Sequence, residues 1–257
     1  MGMDMLRGGG KLVVAANNRL IGPGHFGLID LGDDVQKFSC HYEADMDDPG
    51  HFGVLDIRTL LWKDGWPVAG DEFLGGTFQI ESERSGYALE LGVDAVQHSG
   101  GGRRGGMRMG GRGGRGAAPA APATPIPDQD VAEVSKTWPD DNVDIRMGNY
   151  MIQAHQKWTI TPVEDAGGYL GSPYFKITIT GTERALSATG EAELMAVPAF
   201  SGRIEQLWRI DQLIDGTYRI MSKALPDFAL TAVGISTPSL AKFDPESDKG
   251  RWNLIKP

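Results

Sequence analysis

The chain has 257 residues, enough for one large all-β domain or two small ones, and its 23% charged and 40% hydrophobic content is that of a globular soluble protein. A net charge of −9 argues against a generally basic nucleic-acid binder. A single cysteine, Cys40, excludes an intramolecular disulfide framework and argues against a structural zinc site. No stretch reaches the ~20 apolar residues of a membrane span, and the apolar run at residues 12–16 is shorter than the ~7–15 residues of a secretory core. Two locations stay open: cytoplasmic, or extracellular or periplasmic if the chain is part of a longer secreted protein.

Residues 1–70 stand apart from the rest of the chain. They contain GPGHFGLIDLGDDVQKFSCHYEA from Gly22 and GVLDIRTLLWKDGWPVAG from Gly53. In this wording the segment resembles the last blade of the five-bladed propeller of glycoside hydrolase family 43, the arabinanases and xylosidases. The resemblance covers one blade of the several that a propeller needs. It implies an inverting mechanism with separate general acid and base carboxylates, but those residues belong to the earlier blades and no segment of this chain matches them. It also implies that His25 helps to hold a metal, usually calcium, at the propeller axis. Read from the chain alone, His25 is equally a turn residue bonding its own blade, and His41 a strand residue. His41, Glu43, Asp45, Asp47, Asp48 and His51 lie within eleven residues. Such a set could hold a divalent cation whose bound water attacks a substrate, or EADMDDPGH could be a solvated hairpin turn.

A biased tract comes later in the chain. Between Gly100 and Gly116 there are ten glycines, five arginines and no acid, and AAPAAPATPIP comes next. Neither run can build a packed core. The tract reads as a flexible loop or as an RGG-like segment binding RNA through charge and arginine stacking.

The remaining chain reads as short strands: FQIES, FKITIT, YRIMS and RWNLI, separated by Gly, Pro, Asp or Ser. Trp158, Trp208 and Trp252 recur at intervals of 50 and 44 residues, which calls for a repeat. Each ends a unit that an aromatic opens. Phe175 precedes Trp208 by 33 residues and Tyr218 precedes Trp252 by 34, whereas Phe78 precedes Trp158 by 80. The excess matches the biased tract and its flanks, so unit one carries an insertion expected to be disordered over about residues 99–144.

Three such units, with Gln156–Trp158, Gln206–Trp208 and a degraded Gly250–Trp252, resemble the Gln-x-Trp β-trefoil of the ricin-B type lectins over residues 71–257. The expectation is therefore all-β: a β-trefoil with a long Gly/Arg/Pro-rich insertion in its first unit, preceded by strands resembling one propeller blade. The tryptophans and glutamines are expected to be structural. In the lectins each sugar pocket uses an Asp after the first strand, an aromatic platform and an Asn before the Gln. Here the Asn position reads His155, Glu205 and Lys249, no Asp stands out, and unit three alone offers an aromatic and an acid, Phe243 and Asp244.

Three functions are expected from these features. One is a carbohydrate-related accessory region of a family 43-like hydrolase, with a plant-type polysaccharide or oligosaccharide as ligand and pairing of copies through the orphan blade's edge. Another is a self-sufficient metal-dependent hydrolase using the His/Asp-rich hairpin. The third is an RNA- or protein-interaction role for the RGG-like loop.

Overall fold

The computed structural model describes residues 12–16, 21–43, 53–70, 75–93, 130–169 and 172–257. Two β-structures succeed each other along the chain.

The first is a four-stranded antiparallel meander of β1 (Ile21–Asp30), β2 (Gln36–Glu43), β3 (Val54–Lys63) and β4 (Trp66–Ala69), in that spatial order. This is the strand order of one propeller blade. Alternation in β2 puts Phe38, Cys40 and Tyr42 on one face, where they are buried with Leu60, and Ser39 and His41 on the other. Asp64 and Gly65 join β3 to β4 with φ of 53° and 76°, the two-residue turn that matches strand twist.

The second is twelve strands in three groups of four. Unit one has β5 (Gly76–Ser82), β6 (Ala88–Leu91), β7 (Val143–Gly148) and β8 (Trp158–Tyr169). Unit two has β9 (Ser172–Ile179), β10 (Ala185–Ala188), β11 (Leu194–Val197) and β12 (Trp208–Gln212). Unit three has β13 (Tyr218–Ser222), β14 (Phe228–Ala232), β15 (Pro238–Lys242) and β16 (Trp252–Ile255). The first and fourth strands of each unit close a ring: β5 pairs β8, β8 pairs β9, β9 pairs β12, β12 pairs β13, β13 pairs β16, and β16 returns to β5. The middle strands form three hairpins, β6–β7, β10–β11 and β14–β15. A six-stranded barrel with three hairpins is a β-trefoil, and its closure leaves the ring without an edge.

The three tryptophans are fully buried and equivalent. Trp158 Nε1 donates to Leu89 O at 2.8 Å, Trp208 Nε1 to Leu186 O at 3.1 Å, and Trp252 Nε1 to Leu230 O at 2.9 Å. Each indole fills the core and satisfies its one donor on the second strand of its own unit.

The insertion is shorter than expected. Residues 130–142 are packed, and β7 begins at Val143. Asp130 caps a single helical turn, α1 (Val131–Val134), through Ala132 N, and Trp138 is buried in the main core. Arg184 holds this stretch by donating to the carbonyls of Pro139 and Asp141. The Ala/Pro run and the glycine–arginine tract lie outside the described residues.

The meander is tied to the trefoil through its β1–β2 turn. Asp33 and Asp34 have φ of 50° and 63° there. Arg219 donates to Asp33 at 3.0 Å, and Arg251 donates to Asp34 at 2.5 Å and to Asp215 at 2.6 Å. Main-chain bonds from Ile214 N to Asp34 O and from Trp62 N to Ile214 O, both 2.9 Å, complete the junction.

Candidate functional site

The pseudo-threefold repeat defines one position three times over. On the second strand, the residue after the leucine that accepts the tryptophan's bond is Glu90, Ser187 or Thr231; before the Gln-x-Trp it is His155, Glu205 or Lys249. Each unit treats this place differently.

Unit one fills it with buried charge. Glu90 accepts from Arg146 Nε at 2.7 Å and from Gln156 Nε2 at 2.6 Å, with His155 Nε2 at 3.7 Å. Burial opposes ionisation of Glu90 and is the largest single influence on it. Contacts with His155, Arg146 and Gln156 together outweigh burial and hold the carboxyl below its ordinary value. Gly148 makes room, because a Cβ there would come within 2.9 Å of the Glu90 carboxylate. An acid does therefore accompany the Gln-x-Trp of unit one, one strand later than expected.

Gln156 and Gln206 each tie together the turn before their own tryptophan strand. Gln156 Oε1 accepts from Met151 N at 2.8 Å and its Nε2 donates to Asn149 O at 2.8 Å. Gln206 repeats both contacts with Ser201 N and Ala199 O. The counterparts in unit three, five and seven residues before Gly250, are Pro245 and Phe243. Pro245 has no N–H for a glutamine to accept from, and the Phe243 ring lies 3.0 Å from where a Cβ on Gly250 would sit. Phe243 thus takes the glutamine's room, which accounts for the degraded pattern.

A space lies beside Gly250. In unit three a cavity of about 320 Å³ is lined by Thr231, Val233, Ala241, Asp244, Ser247 and Lys249, among others. Thr231 and Lys249 stand where unit one has Glu90 and His155, so the short Thr231 replaces the carboxylate at the centre of unit one's ionic network. Asp244 Oδ1 accepts from Glu246 N at 3.1 Å, fixing the carboxylate at the rim. Phe243 does not line this cavity. Its ring carries the Arg219 guanidinium 4.7 Å from the centroid.

In the meander, His25 has φ of 54° within β1, inside the register shift between Gly24 and Gly27, and its ring meets His41 edge-on with centroids 6.0 Å apart. Both are exposed. Asp45, Asp47, Asp48 and His51 lie outside the described residues, and among the described residues no group of three or more His, Cys, Asp or Glu side chains could hold a metal ion. Calcium takes oxygen ligands, which the two imidazoles do not themselves supply.

No protein-family profile and no curated protein matches the chain. Among solved structures it is similar to ThreeFoil, a designed 3-fold symmetric protein (16% identity, 70% of this chain and 99% of that one, TM-score 0.44). It is also similar to the BEL β-trefoil (12% identity, 72% and 96%, TM-score 0.43). An exo-β-1,3-galactanase from Clostridium thermocellum is 15% identical over 92% of this chain and 46% of that enzyme, with a TM-score of 0.43. This chain thus spans less than half of the galactanase. The trefoil assignment rests on the ring of strand pairings, not on these likenesses.

Proposed function

We propose that the chain is a carbohydrate-binding β-trefoil, accessory to hydrolase chemistry of the family 43 type, with unit three as its glycan site. The cavity at Thr231, Asp244 and Lys249 carries this reading. At about 320 Å³ it is at the small end of ligand pockets. Its polar groups suit a polyhydroxyl ligand: Asp244 accepts hydrogen bonds, Lys249 donates them, and Thr231 and Ser247 do both. Val233 and Ala241 supply apolar wall for the C–H face of a sugar ring. The blade-like meander, with its family 43 wording, supports an arabinan- or xylan-type ligand.

Calorimetric titration with xylo- and arabino-oligosaccharides tests the reading. Binding is expected for the native chain, weakened about tenfold or more by Asp244→Ala and by Lys249→Ala, the size of a lost charged hydrogen bond. Binding that both variants retain in full places the site elsewhere.

A further inference from the structure

A second cavity, of about 540 Å³, adjoins the first. Its walls are Arg84, Ser85 and Tyr87 from the β5–β6 turn of unit one, facing Gly234, Ile235 and Asp248 of unit three. The two cavities share their dividing wall. Val233 lines the first and Gly234 and Ile235 the second, while Ser247 and Lys249 line the first and Asp248 the second. Consecutive residues line different cavities, so the segment through Asp248 forms the ridge between them.

The second cavity has the chemistry of a sugar subsite. Tyr87 offers an aromatic surface with a polar tip. Arg84 Nη1 stands 3.4 Å from Asp248 Oδ1, and both side chains are about half exposed, which sets a donor beside an acceptor for a sugar's hydroxyls. The pair is neutral in sum and so favours an uncharged ligand. The turn is also held in place before any ligand arrives. Gly86 N donates to Ser82 O at 2.8 Å, Glu83 N to Arg251 O at 3.0 Å, and Asn253 Nδ2 to Glu83 Oε2 at 2.6 Å. Little ordering is left to oppose binding.

We infer that the ligand is a neutral oligosaccharide that crosses the Asp248 ridge, with one sugar in the unit-three cavity and the next against Tyr87 and Arg84. The inference rests on the carbohydrate reading above and adds to it a second subsite built across two repeat units.

Titration of the full chain with xylose through xylopentaose, and with the matching arabinose series, separates the two. The expected result is at least a tenfold fall in Kd between the monosaccharide and the trimer, and no more than about twofold beyond the tetramer. Arg84→Ala and Tyr87→Ala should abolish that gain and leave the monosaccharide Kd within about twofold, whereas Asp244→Ala should weaken every length alike. Because Tyr87 also packs on the core, the half-exposed Arg84 provides the variant whose folding is not at stake. Length-independent binding by the native chain, or an Arg84→Ala variant with an undiminished length gain, overturns the second subsite alone. Failure of both series to bind overturns the carbohydrate reading and this inference with it.

Discussion

Single side chains decide which repeat unit is closed and which is open. In unit one Glu90 is ionised inside the protein because Arg146, Gln156 and His155 surround it. Its folded pKa lies below the unfolded value of about 4.3, so its contribution is complete above that value and is lost as pH falls through the lower folded one. Glu90→Gln should therefore reduce unfolding free energy by about 1–3 kcal/mol at neutral pH, and the gap from the native chain should narrow as the pH is lowered past the unfolded value toward the lower folded one. Urea titrations across pH read this directly, and a pH-independent gap would remove the charge from the account. The opposite substitution is informative in unit three. Gly250→Ala sets a methyl 3.0 Å from the Phe243 ring and should cost about 1–3 kcal/mol through overpacking. Phe243→Leu should make the same alanine nearly neutral, since the obstructing ring is gone, and a double-mutant cycle measures that coupling. Additive effects would place the strain elsewhere.

Among the elements, the β1–β2 turn holds the meander to the trefoil. Arg251 is largely buried between Asp34 and Asp215, and its Nη2 also donates to Pro245 O at 2.7 Å. Arg251→Ala leaves both carboxylates facing an empty space and should destabilise the junction by about 1–3 kcal/mol. The expected signature is local. Amide exchange should quicken in β2 and β3 while β8, β9 and β12 keep their protection, because the ring of barrel strands closes without the meander. Uniform acceleration through all strands would mean that the two structures open together. This junction is not legible in the sequence: Asp34 and Arg251 are 217 positions apart and look like ordinary turn and surface charges until the fold brings them together. The helical turn before β7 is hidden for a different reason. Its residues come directly after the Ala/Pro run, and Trp138 alone announces a packed segment.

At the scale of the whole molecule, the threefold plan is legible because a closed core needs a large apolar side chain at the same place in each unit. Trp158, Trp208 and Trp252 meet that need at spacings that survive the insertion. The contents of the equivalent sites are less legible. The lectin pattern puts its acid just after the first strand, whereas Glu90 lies on the second, one residue past Leu89, and the unit-three cavity is walled by residues between 231 and 250 that only the fold brings together. The same difference bears on catalysis. Inverting glycoside hydrolysis needs a general acid and a general base about 6.5–9.5 Å apart, on opposite sides of the scissile bond. The unit-three cavity is lined by one carboxylate, Asp244, together with Lys242 and Lys249, and across the ridge Asp248 is paired with Arg84. Such a lining offers ground-state contacts alone, which would hold a glycan without accelerating its cleavage. Oligosaccharides incubated with the purified chain should therefore be recovered intact, with no shorter products by chromatography. Sugar release that survives Asp244→Ala and Asp248→Ala would put the chemistry outside both cavities, and His25→Ala, His41→Ala and substitution of Asp45, Asp47 and Asp48 would then test whether it resides in the meander hairpin.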